Sequence, residues 1–170
     1  MTDTRHAVDV RDVRSTYGGP YVVDGLSFVV NRGDMFGLIG PDGAGKTTTL
    51  RLLCGLARPA SGEVRVFGED PFANRAAATR SIGYLSQRFS LYGDLSIDEN
   101  VEFFARIHGV AEFRDRRNRL LDLVGLSAFR DRLADRLSGG MKQKLALACT
   151  LIHQPALIVL DEQTTGVDHV

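Results

Sequence analysis

The chain has 170 residues, which is enough for one domain and too few for two. Lysine plus arginine number 21, and so do aspartate plus glutamate, so the formal net charge is zero and argues against a dedicated nucleic-acid binder, which usually carries a basic excess. Hydrophobic residues make up 44% and charged residues 25%, a composition typical of a globular protein that excludes intrinsic disorder.

Two cysteines, Cys54 and Cys149, are too few for a disulfide framework or a four-cysteine zinc site. Both lie in apolar helical patterns, so we expect buried, reduced thiols.

The first twelve residues carry charges and contain no apolar stretch, and we therefore expect no signal peptide. The longest apolar runs have five or six residues, whereas a membrane-spanning helix needs about 20. A role at a membrane would thus require a partner.

The first half of the chain has the pattern of short strands around one helix. Residues 45–56 have helical spacing and end at a turn in which proline and glycine break the helix. Alternating or continuous apolar residues predict five strands. These strands are residues 7–13, 21–30, 35–39, 63–67 and 82–86.

The middle of the chain, from residue 96 to about residue 134, is mainly helical in pattern. Ser96 and Glu99 have the spacing of a capping box, in which side chains and unpaired amides of the first helical turn satisfy each other. Residues 112–124 predict a second helix, with Gly125 just after its end, where a left-handed backbone costs least. Residues 156–160 are typical of a buried strand. Strands that alternate with helices predict an α/β fold with a largely parallel sheet and an inserted helical subdomain.

Residues 40–47 match the pattern G-x-x-x-x-G-K-[ST], between a predicted strand and a predicted helix. Glycines let backbone N–H groups surround phosphate oxygens, and the positive end of the helix dipole adds to the attraction. Lys46 reaches the terminal phosphates, and Thr47 offers a hydroxyl to Mg²⁺, which prefers oxygen ligands. The other members of this predicted phosphate-binding loop are Gly40, Pro41, Asp42, Gly43, Ala44 and Gly45.

A site of this kind also needs an acidic residue at the end of a neighbouring strand. The predicted strand 156–160 is followed directly by Asp161 and Glu162. Asp161 is placed to hold the Mg²⁺ shell, usually through water, and Glu162 to polarise an attacking water as a general base. Carboxylates at a strand end can instead cap the next helix, but the glycine loop upstream favours the metal and catalytic roles.

A third predicted helix opens with the sequence Leu-Ser-Gly-Gly-Met-Lys-Gln at residues 137–143. The Ser138 hydroxyl, the amides of Gly139 and Gly140, and the helix N-terminus form a second phosphate-binding end. Together with the other two motifs, this sequence resembles the signature of the ATP-binding cassette (ABC) ATPases, over nearly the whole chain. The resemblance implies ATP as the nucleotide. It also implies a P-loop NTPase fold, with a RecA-like parallel core, an antiparallel β layer and an inserted α-helical subdomain.

The resemblance assigns roles to further residues. Tyr17 corresponds to the aromatic side chain that stacks on adenine, although a lone tyrosine is more often a packing residue, and Thr48 joins the nucleotide contacts. Gln87 corresponds to the glutamine that contacts Mg²⁺ and the attacking water. Residues 88–94 correspond to the adjacent loop that faces a membrane partner, and residues 166–168 to a segment at the interface between two cassettes.

The resemblance also implies one ABC domain over residues 1–170. Its core and β layer would comprise about residues 7–87 and 146–170, and its helical subdomain about residues 88–145. The chain stops before the strand that ends in the family's switch histidine, so we expect a cassette that is incomplete at its C-terminus.

His169 is not that histidine, and we expect the other histidines, His6, His108 and His153, to be surface or packing residues. Gln163 stands where the family usually has proline. Unlike proline, glutamine has a backbone N–H that can donate a hydrogen bond, and its φ angle is not fixed by a ring.

In the family, two cassettes pair head-to-tail, so that the signature of one closes over the ATP of the other. The sequence therefore implies an ATPase subunit that pairs with a second cassette and drives export through a separate membrane permease. It would lie at the cytoplasmic face of the inner membrane. Residues 37–48, 83–105 and 137–144 resemble drug-exporter or ABC-2-type cassettes. Two alternatives remain open: a truncated cassette that binds ATP without turnover, and a soluble ABC ATPase outside transport. No nucleic-acid partner is expected.

Overall fold

The computed structural model describes residues 6–86 and 90–161. The chain divides into two compact units, with the boundary between Thr79 and Arg80. Strands and helices occur in both, as expected for an α/β protein. In the described part of the chain, no helix is both long and apolar enough to cross a membrane.

The first unit contains an antiparallel sheet of three strands in the order β2–β1–β3. The strands are β1 (His6–Ser15), β2 (Val23–Asn31) and β3 (Ser61–Val66). Valines pair across the ladder, with Val8 opposite both Val30 and Val66, because β-branched side chains pack well on a pleated surface. The sheet confirms the strands predicted at residues 7–13, 21–30 and 63–67.

One helix lies in this unit, and a second continues past its last residue, Thr79. The helix α1 (Lys46–Leu53) follows the glycine-rich loop and confirms the predicted helix, although it ends earlier, with Cys54 as its C-cap. The helix α2 (Arg75–Ser81) was missed by the sequence analysis. Its signal is local, because the Asn74 side chain accepts a hydrogen bond from the Ala77 amide at 3.2 Å, as a helix-capping residue does.

The prediction of a strand at residues 35–39 is wrong, since this segment forms no ladder with any strand of the described chain. The side chains of Met35 and Ile39 are fully exposed, and Phe36 stacks on Phe28 of β2 with ring centroids 4.9 Å apart. An apolar run supplies side chains for a strand. The strand itself forms only where a neighbouring backbone offers donors and acceptors.

Among its described residues, the second unit contains a parallel pair of strands and three α-helices. The strands are β4 (Ile82–Leu85) and β5 (Leu157–Leu160), and the helices are α3 (Ile97–Ile107), α4 (Arg114–Leu123) and α5 (Gly139–Leu151). The helices share an apolar core in which Ile97, Leu121 and Leu145 are fully buried. Cys149 also lies in this core as a free cysteine, which confirms the predicted burial, and burial raises the pKa of its thiol. Cys54, in contrast, is only partly buried.

The predicted helix ends of this unit are confirmed. The Ser96 hydroxyl accepts a hydrogen bond from the Glu99 amide at 3.2 Å, and the Glu99 carboxylate accepts one from the Ser96 amide at 2.7 Å. These two bonds complete a capping box at the start of α3. Gly125 follows α4 with φ of 70°, a backbone conformation that other residues rarely adopt.

Two histidines of the second unit stack face to face. The ring centroids of His108 and His153 lie 3.9 Å apart, with the planes 4° from parallel. Burial lowers the pKa of both imidazoles, and repulsion from His108 and Arg116 lowers that of His153 further. The pair therefore favours neutral rings, which confirms a packing role.

We expect the free energy of unfolding to decrease as the pH falls below about 6.5, because the unfolded histidines then bind protons that the folded pair resists. The substitution His153→Phe keeps a ring beside His108 but removes one titrating group. It should reduce the loss of melting temperature between about pH 7.5 and 5.5. Glu99 also contributes to stability, and this contribution is lost only at a lower pH. Hydrogen bonds from Ser96 lower the pKa of the Glu99 carboxyl below its ordinary value of 4.5, so it stays ionised in the folded protein as the pH falls towards that value.

The measurement is thermal unfolding followed by circular dichroism across this pH range. The control is His6→Gln, which removes a histidine outside the stacked pair. A pH dependence unaffected by His153→Phe would contradict the role of the stacked pair.

Candidate functional site

The glycine-rich loop of residues 40–47 leads directly into α1. Gly43 and Gly45 have φ of 79° and 82°, and the Ala44 amide donates to the Pro41 carbonyl at 3.2 Å, so the backbone curls tightly before the helix. Gly45 is buried against β2, where a Cβ atom would lie 2.6 Å from the Val22 carbonyl oxygen. This close approach explains why glycine is required at the last position before Lys46.

The Lys46 ammonium lies against the start of the same loop. Its Nζ donates to the carbonyl oxygens of Gly40 at 2.8 Å and of Pro41 at 2.9 Å. A positive charge is thus held inside the curl, beside the N-terminus of α1, where the helix dipole is also positive. This arrangement has the chemistry of a binding site for a polyanion such as a triphosphate.

Tyr17 lies beside the first turn of α1. Its hydroxyl is 3.3 Å from the Thr48 hydroxyl, and two thirds of the residue is exposed. The Thr16 side chain stabilises the turn of residues 16–19, which contains Tyr17. Its hydroxyl donates to the Gly19 carbonyl at 2.7 Å and accepts from the Gly19 amide at 3.1 Å. An exposed aromatic ring is therefore anchored next to the glycine-rich loop, as a stacking platform for a flat ligand would be.

In the second unit, Ser138 caps the N-terminus of α5. Its hydroxyl accepts a hydrogen bond from the Met141 amide at 3.3 Å. Gly139 and Gly140 form the first turn, and all three residues are exposed. Apart from neighbouring residues of the same helix, no atom of the described residues lies within 4 Å of the position that a Cβ would take at either glycine. The helix thus presents an uncrowded N-terminus on the surface, which confirms the predicted helix start and suits an anionic partner.

Asp161 follows β5 and is buried. Its amide donates to the Leu85 carbonyl at 3.0 Å, and its carboxylate accepts a hydrogen bond from the Tyr84 hydroxyl at 3.0 Å. Tyr84 orients one carboxylate oxygen and was missed by the sequence analysis. Only the parallel pairing of β4 with β5, which places Tyr84 opposite Val159, reveals this contact.

The donor set assigned to magnesium is of the right chemical type. Considered separately, Thr47 in α1 carries a hydroxyl, and Asp161 directly after β5 carries a carboxylate. Mg²⁺ is bound in proteins by few side chains, mainly through oxygen atoms, and keeps several waters. The residues that are present therefore fit the ion. Gln87, Glu162, Gln163 and residues 166–169 lie outside the described part of the chain.

Comparison with known proteins agrees with this chemistry. The sequence profile of the family described as "ABC transporter" matches residues 23–165. The chain is 39% identical, over 163 residues, to the "Probable multidrug ABC transporter ATP-binding protein YbhF" of Escherichia coli (strain K12). This match covers 95% of the present chain and 28% of the relative. The chain is 43% identical, over 165 residues, to the "Nod factor export ATP-binding protein I" of Paraburkholderia xenovorans (strain LB400), covering 95% and 54% respectively. The chain thus spans about half or less of these curated relatives.

A solved structure described as "Structure of ATP binding subunit of ABC transporter" superposes with a TM-score of 0.85 at 30% sequence identity. The match covers 94% of this chain and 68% of that one. The likeness confirms the predicted fold, a P-loop NTPase fold with an antiparallel β layer and a helical part.

Proposed function

Because the chain belongs to the ABC transporter family, we propose that it is the ATP-binding and ATP-hydrolysing part of a transporter that exports its substrate through a separate membrane permease. The observation that carries the proposal is the curled loop of residues 40–47, with the Lys46 ammonium held against the Gly40 and Pro41 carbonyls. One relative is named as a Nod factor export protein and another as a probable multidrug transporter protein, and the first name supports export as the direction of transport.

In this proposal, the amides of residues 40–47 and the Lys46 ammonium bind the phosphates of ATP. Thr48, in the first turn of α1, is a further proposed contact of the nucleotide, and Tyr17 stacks on the adenine. The exposed ring of Tyr17 and its contact with Thr48 support this assignment. Base–aromatic stacking is tolerant of the identity of the base, so Tyr17 contributes affinity more than specificity.

Thr47, Asp161 and Gln87 are the proposed magnesium ligands. The buried Asp161 carboxylate, oriented by the Tyr84 hydroxyl, supports this role. The ion neutralises charge on the β- and γ-phosphate oxygens when it is bound. Glu162 accepts a proton from the attacking water, whose oxygen forms a bond to the γ-phosphorus as the bond to the ADP oxygen breaks. Gln87 orients the same water.

A second cassette completes the site in this proposal. Ser138, Gly139 and Gly140 of one copy contact the γ-phosphate of ATP bound to the facing copy, in a head-to-tail dimer. The exposed, uncrowded N-terminus of α5 supports this role. The subunit would bind the cytoplasmic face of the inner membrane through its permease partner.

The test is ATP hydrolysis by the unsubstituted protein and by Glu162→Gln. We expect the substitution to lower kcat by about 100-fold or more, because it removes the general base, and to change ATP affinity by less than about twofold. Hydrolysis is measured as phosphate release and affinity by calorimetry, each with and without Mg²⁺.

Glu112→Gln is the matched control, since Glu112 is exposed before α4 and should tolerate the same chemical change. Binding of ATP without turnover by the unsubstituted protein would contradict the catalytic part of the proposal. Absence of any magnesium-dependent binding would contradict all of it.

A further inference from the structure

Asn100, in the first turns of α3, is fully buried and makes four hydrogen bonds to one segment of backbone. Its Oδ1 accepts from the Tyr92 amide at 2.9 Å. Its Nδ2 donates to the carbonyls of Tyr92 at 3.0 Å, Leu95 at 3.1 Å and Ser96 at 2.9 Å. A single buried side chain therefore holds the backbone of residues 92–96, which we call the 92–96 loop. Such a fully satisfied buried network is rigid, and its disruption leaves polar groups unpaired.

The 92–96 loop is bonded on its other side to the turn that precedes Ser138. The Asp135 amide donates to the Gly93 carbonyl at 3.0 Å, and the Ala134 amide donates to the Leu95 carbonyl at 2.9 Å. The approach is close, because a Cβ atom at Gly93 would overlap the Asp135 carboxylate. The turn continues into Leu137, which is buried and directly precedes Ser138.

These contacts form one chain of hydrogen bonds from Asn100 through the 92–96 loop to the residues before Ser138. The outer surface of the loop is accessible, since Tyr92 is partly exposed while its ring packs on Phe103 at 4.3 Å.

We propose that Asn100 is a positioning residue that couples the 92–96 loop to Ser138. The idea rests on the proposed function, in which Ser138 contacts ATP of a second cassette. Loss of Asn100 then releases the 92–96 loop, and with it the turn that places Ser138. Asn100 touches neither nucleotide nor magnesium in this scheme, so it acts on turnover through the position of Ser138.

The first test is hydrogen exchange in the full chain carrying Asn100→Asp. This substitution keeps the size of the side chain but replaces the Nδ2 donor by an oxygen that faces three carbonyls. We expect exchange to rise about tenfold both in the 92–96 loop and at the amides of residues 134–137. A milder variant, Asn100→Ser, tests the same contacts if the aspartate variant folds poorly.

Two controls separate coupling from a general loss of stability. Leu121→Ala removes a fully buried side chain from the same core without touching the loop, and Asn118→Asp makes the same chemical change at an exposed amide bonded to Arg130. Neither should raise exchange at residues 134–137 by more than about threefold beyond its effect on global unfolding. Equal exchange at these residues in Asn100→Asp and in Leu121→Ala of matched stability would overturn the proposal.

The second test is turnover in the full transporter. We expect Asn100→Asp to lower kcat by about tenfold per folded molecule, while KM for ATP changes by less than about twofold. Leu121→Ala should leave kcat per folded molecule unchanged, and equal losses in both variants would overturn the positioning role. If the unsubstituted protein does not hydrolyse ATP, the proposed function fails, whereas the exchange experiment still decides whether Asn100 couples the loop to Ser138.

Discussion

Replacing Lys46 by alanine is expected to weaken ATP binding by about 10- to 100-fold. Hydrogen bonds that involve a charged group contribute about 1.5–3 kcal/mol, and each 1.4 kcal/mol corresponds to roughly a tenfold change in affinity. The Lys46 ammonium already lies at the loop, 2.8 Å from the Gly40 carbonyl, so little reorganisation is needed for it to meet a phosphate. Turnover should fall further than affinity, because charge develops on the phosphate oxygens in the transition state.

The measurement is titration with ATP and Mg²⁺, by calorimetry or with a fluorescent analogue. Lys144→Ala is the matched control, because Lys144 is exposed on α5 and has no assigned role. It should bind ATP like the unsubstituted protein. If Lys46→Ala binds ATP with unchanged affinity, the lysine only braces the Gly40 and Pro41 carbonyls and the loop is not the phosphate site.

Replacing Gly45 by alanine is expected to destabilise the protein by about 2–4 kcal/mol, which for a chain of this length corresponds to roughly 5–15 °C in melting temperature. Two costs add at this position. The left-handed backbone, with φ of 82°, strains any residue that carries a Cβ atom. That atom would also lie 2.6 Å from the Val22 carbonyl oxygen and 2.9 Å from a Val23 methyl group. Because the loop must move away from β2 to relieve this overlap, ATP binding should be lost as well.

Gly43→Ala separates the two costs. Gly43 also has a left-handed backbone, with φ of 79°, but beyond its chain neighbours no atom in residues 6–86 and 90–161 lies within 4 Å of its Cβ position. Only the backbone strain applies, so we expect a loss of about 1 kcal/mol. Thermal unfolding and ATP titration of both variants provide the comparison. Equal stability of the two variants would show that the contact between Gly45 and Val22 does not constrain the loop.

Features that depend on near neighbours in the chain could be predicted from the sequence. The glycine-rich loop lies within eight residues, and glycine, Lys46 and Thr47 carry its chemistry wherever the chain places them. The capping box of Ser96 and Glu99 and the cap formed by Ser138 are equally local, because each joins residues three positions apart. Local hydrogen bonds of this kind compete only with water, so the same residues form them in many folds.

Contacts between distant residues could not be predicted in this way. Tyr84 and Asp161 are 77 positions apart, and they meet only because β4 and β5 pair in parallel with a particular register. From the sequence, Asn100 would be expected to be one of the polar, exposed residues of an amphipathic helix. Its burial depends on the 92–96 loop folding over the start of α3, and no pattern along α3 specifies that.

The sequence by itself therefore determined the family, the α/β fold and the chemistry of the phosphate loop, since these rest on residue types at short spacing. Tertiary structure alone decided which apolar segments become strands and which way their side chains point. In β1, burial passes from Val8 and Val10 to Val13 and Ser15, because an irregularity in both ladders near Asp12, with φ of 44°, inserts an extra residue. Backbone pairing across strands sets this change of face, and the side chains then follow it.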